Sequence, residues 1–165
     1  MRHAVLVLGL LAVMTQLLAC ATTGVPGAMK GESGPVAWQI EDLRQTLDEN
    51  GTVMRWNFMF VFKNTGSAPF NFERVEVGSR AGGPSDDVTG GMATVPFAHR
   101  LEPGGELHLN QSESWGCRQC APAHLPRLFS EGVIIYYTFL GHDATGSAVR
   151  VPIAMRLDSS VGERE

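Results

Sequence analysis

The chain predicts an all-β fold, a single seven-stranded antiparallel β-sandwich, and three observations carry that expectation. Between Met54 and Phe62 apolar residues recur at every second position, with Arg55 and Asn57 in alternate places and Lys63 just beyond. From Val133 to Leu140 the chain is apolar on both faces and rich in β-branched and aromatic residues. Clusters of Gly, Pro, Asn, Asp and Ser separate such runs, and no long amphipathic helix intervenes.

The folded domain is expected over residues 35–158. Val36, Trp38 and Ile40 alternate with Ala37 and Gln39, as on a half-buried strand. Leu43 and Leu47, four apart, also fit a helical turn. A strand running into a hairpin at Glu49-Asn50-Gly51 is preferred, because Asn-Gly accepts the positive φ angles such turns need. Met54, Trp56, Phe58, Phe60 and Phe62 then form the inward face of a core strand; at this spacing the aromatic stripe is core rather than a ligand groove. Asn64 to Pro69 turn the chain. Phe70 and Phe72 share one parity and Val75 and Val77 the other, which a bulge near Glu73-Arg74 reconciles.

Ser79 to Gly91 reads as a loop, and Val95 and Phe97 start another short strand. Glu102-Pro103-Gly104-Gly105 is a turn leading to the strand of Leu107 and Leu109. Cys117 to Arg127, with Pro122 and Pro126, is expected to be irregular. Val133 to Leu140 should be the most buried strand, and Gly141 to Gly146 the turn after it. Val149, Val151, Ile153, Met155 and Leu157 face inward on the last strand. Pro152, on its opposite face, places that strand at a sheet edge, because proline has no N–H for a ladder. Residues 159–165 are expected to be a disordered tail. Trp38 and Trp115 are the candidates for exposed aromatics.

Ahead of the domain, Met1-Arg2-His3 is cationic, and the apolar run from Ala4 to Leu18, broken by Thr15 and Gln16, is short for a membrane span. It ends in Leu17-Leu18-Ala19-Cys20, which resembles the lipobox at which bacterial lipoprotein processing acts. The resemblance implies a signal peptide over residues 1–19 and diacylation of the Cys20 thiol, followed by a flexible tether over residues 20–34. Residues 21 to 34 carry four glycines and one proline without apolar periodicity, for a reach on the order of 20 Å. In the Gram-negative sorting scheme an aspartate after the lipidated cysteine retains a lipoprotein at the inner membrane. Here Ala21 stands there, so the resemblance favours the outer membrane, with the domain facing the periplasm.

The formal net charge of −4 becomes one unit more negative once Arg2 is removed, so no field favouring nucleic acid or anionic headgroups is expected. Membrane attachment is expected through the N-terminal lipid, and partnership with a protein of unknown identity. Of three cysteines, assigning Cys20 to lipid leaves Cys117 and Cys120 as an even pair. The stretch from Phe58 through Phe72, a strand ending in Lys-Asn-Thr-Gly-Ser-Ala-Pro and restarting with aromatics, resembles the first hairpin of immunoglobulin-like and fibronectin-type-III-like modules of bacterial envelope proteins. The hallmark disulfide between facing sheets cannot form here, since the two remaining cysteines are neighbours.

The local constellation that bears on chemistry is Trp115-Gly116-Cys117-Arg118-Gln119-Cys120. A structural disulfide between Cys117 and Cys120 is the leading reading. Redox activity would need a thiol of depressed pKa, for which Arg118 could supply the cation, but the βαβ context of a thioredoxin-like site is missing. Zinc or copper held by Cys117, Cys120 and His124, with His99, His108 or His142 nearby, is the other alternative. Ala121 stands where C-x-x-C-H would require histidine, which removes haem attachment. The loop from Gly82 to Asp87 lacks both the ending of a nucleotide cradle and the spaced ligands of an EF-hand. Asn50-Gly51-Thr52 and Asn110-Gln111-Ser112 match a glycosylation pattern that usually carries no meaning in a bacterium. No G-x-S-x-G, H-E-x-x-H or paired-carboxylate arrangement occurs, so a non-catalytic protein without a cofactor is expected.

Overall fold

The computed structural model describes residues 29–82, 92–161 and 163–164. The expected lipobox and signal peptide, the first part of the expected tether and residues 83–91 of the expected loop lie outside the described residues. The alternating segments become β1 (Lys30–Ser33), β2 (Val36–Leu47), β3 (Val53–Asn64), β4 (Phe70–Ala81), β5 (Ala93–Leu101), β6 (Glu106–Gly116), β7 (Val133–His142), β8 (Ala148–Leu157) and the two-residue β9 (Glu163–Arg164). One antiparallel sheet runs β1-β2-β3-β6 and the other β5-β4-β7-β8, while β9 lies parallel to β2. The expected seven strands are present, and β1 makes eight in two sheets of four.

β1 was expected to belong to the flexible tether. Its sequence has no apolar pattern, and backbone pairing with β2 holds it in place. Gly31 lies opposite Trp38, and a Cβ there would come within 2.7 Å of the indole. Trp38, expected to be exposed, is thereby 5% exposed. The polar tail is ordered in part: Ser159 N–H donates to Phe129 O at 2.9 Å, and Glu163 and Arg164 pair with Arg44 and Gln45.

The core lies between β3 on one sheet and β4 and β7 on the other. Met54, Trp56, Phe58, Phe60 and Phe62 are all buried. Phe62 meets Phe139 at 4.7 Å between ring centroids, and Phe60 presents itself edge-on to Tyr137 at 5.0 Å and to Phe139 at 5.6 Å. Such pairs add about 0.5–1.5 kcal/mol each beyond the burial of area. A one-residue slip of β3 would expose this stripe and bury Arg55, Asn57 and Lys63, so the register is strongly specified.

β7 is the inner strand between β4 and β8, and β8, with Pro152, lies at the edge. The bulge at Glu73 appears as a register shift between Phe72 and Arg74 on both sides of β4. Gly141 allows β7 to approach β4 closely, since a Cβ there would meet Asn71 O at 2.2 Å.

Two turns depart from expectation. In the β2–β3 connection Gly51 takes a positive φ of 68° and Asn50 does not; the Asp48 carboxylate instead accepts the backbone N–H groups of Thr52 and Val53. The segment after Cys117, expected to be irregular throughout, contains a 3-10 turn (Pro122–His124) and the helix α1 (Leu125–Glu131). Proline in the first helical turn costs nothing, because its missing N–H has no helical partner there. Leu125 and Phe129 turn into the core, and α1 ends at Gly132, with φ 65°.

Candidate functional site

The C-x-x-C segment follows β6 directly. Cys117 and Cys120 are joined by a disulfide, with Cα atoms 5.4 Å apart. Cys117 N–H donates to Thr52 O, which ties the loop back to the start of β3. Trp115, expected to be exposed, is half-buried, and its Nε1–H donates to Leu128 O of α1 at 3.3 Å. The bridge pins the approach to α1.

The histidines that could join this pair as metal ligands are dispersed. His124 is exposed beside the bridge, and His99 is exposed on β5. His108 stands by Glu106 on β6, and His142 Nδ1 lies 3.0 Å from Glu73 on the second sheet. Among the described residues no three His, Cys, Asp or Glu side chains converge on one point. Bonded sulfurs are also not thiolates, the form in which cysteine binds metal.

The perturbed carboxylates support turns and strand pairs. Val53 N–H, with Thr52, holds Asp48 below the usual carboxylate range. The Lys63 ammonium does the same for Glu106, and the Thr145 hydroxyl for Asp143. At Asp158 burial pushes upward, but hydrogen bonds from Ser160 and Arg156 outweigh it. Burial, reinforced by Glu113, raises Tyr137 above its ordinary value, so at neutral pH its hydroxyl is a donor and not a nucleophile.

The sheet edges are more informative. β5 carries Pro96, β8 carries Pro152, and β1 has only four residues. Each is a familiar block to adding a further strand. β6 is an eleven-residue edge without proline, and among the described residues it pairs only with β3. Its parity follows from two bonds: Cys117 N–H donates to Thr52 O, and Asn64 N–H to Gly105 O. Odd-numbered positions therefore aim their backbone groups at β3. His108, Asn110, Ser112 and Ser114 aim theirs outward, where they meet no partner among the described residues.

The two faces of β6 differ. Leu107, Leu109, Gln111, Glu113 and Trp115 turn inward and are half-buried. Glu113 accepts a short hydrogen bond from Tyr137 Oη, a residue sequence reasoning left unassigned because the two lie on different sheets. Asn110 and Ser112, on the outer face, join Asp42, Arg44, Asn57 and Met59 around a depression of about 470 Å³. It opens beside the β2 bulge, where Asp42 takes a φ of 53°. A second depression, of about 450 Å³, lies under α1 among Leu47, Met54, Pro126 and Phe129. An unblocked strand edge beside a groove can accept an extended backbone.

No protein-family model matches the chain, and no curated protein matches it. No helix among the described residues is long and apolar enough to cross a membrane. The fold is similar to that of the Northeast Structural Genomics Consortium target SoR45, at 8% identity and a TM-score of 0.52 over 82% of this chain and 95% of that one. It is likewise similar to the putative ApaA protein from Bordetella pertussis, at 12% identity and a TM-score of 0.53 over 82% of this chain and all of that one. The Pseudomonas fluorescens alkylpurine DNA glycosylase AlkC aligns at a TM-score of only 0.35 over 30% of its length, which carries no argument. What these likenesses establish is the fold, two four-stranded antiparallel sheets packed face to face.

Proposed function

We propose that the chain is a bacterial envelope lipoprotein, anchored through a diacylated Cys20, whose immunoglobulin-like sandwich makes protein contacts and catalyses no reaction. The Leu17-Leu18-Ala19-Cys20 stretch supports the anchor, and Ala21 after it, in place of a retention aspartate, supports the outer membrane with the domain facing the periplasm. The observation that carries the contact role is the open β6 edge, the one long edge among the described residues without proline or covering strand. The thiol or metal-handling alternative has less support, since Cys117 and Cys120 are bonded to each other and His124 stands apart from the other histidines.

Metabolic palmitate labelling tests the anchor: Cys20→Ser should abolish it, and label surviving that change would remove the premise. Purification from detergent-solubilised membranes tests the role. A reproducible protein partner is expected, and a stoichiometric small ligand with no partner would sink the reading.

A further inference from the structure

An open edge strand carries an inward charge as a guard when pairing must be prevented, because an added strand would desolvate it. Glu113 is such a charge on β6, half-buried and hydrogen-bonded by Tyr137. Whatever pairs with β6 must therefore bring a donor to Glu113 and an apolar side chain to Leu109 or Trp115.

The strand itself meets both needs. When two copies of β6 run antiparallel about a two-fold axis at Ser112, the outward backbone groups of Ser112 face each other, and those of Asn110 face Ser114. These are the positions whose N–H and C=O groups β3 leaves free. On the inner face Gln111 then falls opposite Glu113, so that each amide donates to a carboxylate, and Leu109 falls opposite Trp115. Glu106 lies beyond the paired stretch, and no two like charges meet. Moving the axis to Gln111 or Asn110 would set Glu113 against Leu109 or Leu107.

We infer that β6 is the contact between two copies of this chain, joined antiparallel about Ser112 into one continuous eight-stranded sheet. The inference rests on the reading of β6 as a contact edge and is independent of the lipid anchor. Contact at β6 would reach the Asn110 and Ser112 side of the outer groove from both copies.

Cysteine cross-linking of the full chain in detergent reads the register. Hydrogen-bonded antiparallel partners have Cα atoms about 5.5 Å apart, within the span of a disulfide. Ser112→Cys should give a covalent dimer as the major species, whereas Ser114→Cys, facing Asn110, should not. In sedimentation the wild-type mass should double as concentration rises through the micromolar range. Ser112→Pro removes an N–H that β3 does not use, so it should keep the melting temperature of the dilute, monomeric wild type and stay at half that mass. Gln111→Glu, which sets carboxylate against carboxylate, should also remain monomeric.

A monomeric wild type with uncross-linked Ser112→Cys would overturn the inference. So would cross-linking of Ser114→Cys as readily as Ser112→Cys, or a dimer that survives in Ser112→Pro. A monomer that holds a different protein, lost in Ser112→Pro, would end the second-copy inference while leaving β6 as a contact edge.

Discussion

Gln45 and Trp56 stand directly opposite each other in the β2–β3 register, both buried, and neither Gln45 Oε1 nor Trp56 Nε1 has a hydrogen-bond partner among the described residues. A buried polar atom left unpaired costs about 1–3 kcal/mol. Gln45→Met removes the acceptor at similar volume and is expected to stabilise the domain by about 1 kcal/mol. The measurement is a higher urea midpoint at unchanged m-value; a lower midpoint would show that the amide is satisfied in solution.

Asn64 makes the opposite case. Its Nδ2 donates to Ala68 O and Leu101 O at 2.8 and 2.9 Å, and its Oδ1 accepts Gly66 N–H, so one buried amide clasps the β3–β4 and β5–β6 turns. Asn64→Ala strands these groups and should cost about 2–4 kcal/mol in chemical denaturation. Faster hydrogen exchange at Gly66 than at β7 amides would locate the damage.

The Cys117–Cys120 bridge closes a very short loop, with a sequence separation of 3. Loop-closure entropy for so short a ring amounts to about 2 kcal/mol. The double variant Cys117→Ser, Cys120→Ser should therefore keep the β-sheet circular dichroism spectrum and lose no more than about that much stability. In the wild type, thiol reagents should label neither cysteine until a reductant is added.

Stability should fall at both ends of the pH scale. Asp48, Glu106, Asp143 and Asp158 have folded pKa values below their ordinary ones, so their contribution is present above about pH 4 and lost as pH falls through the folded values. Tyr137 is raised, so its contribution is complete below about pH 10 and lost as pH climbs above that. Melting temperature against pH should show a plateau between these limits. Asp48→Asn should flatten the acid limb and Tyr137→Phe the alkaline one; an unchanged alkaline limb in Tyr137→Phe would assign that loss to another group.

Much of the architecture was legible in residue order. The inward stripe of β3, the parity change that placed the β4 bulge, and Pro152 at the β8 edge all follow from local rules, alternation and the missing proline N–H. β1 was not legible, because a strand held by backbone pairing alone leaves no apolar pattern. Nor were the 3-10 turn and α1, where Pro122 and Pro126, read as breakers, each sit at a start that tolerates proline. Trp38 was misplaced for the same reason as β1: the strand that buries it gave no signal.

By itself, then, the sequence determined an all-β chain and a pair of neighbouring cysteines, because side-chain period and short motifs are local properties. Tertiary structure alone decided which strand became the open edge and brought Tyr137 across to Glu113. It also set Gln45 against Trp56 without partners. These depend on sheet order and on the packing of one sheet over the other, distances that no local spacing encodes.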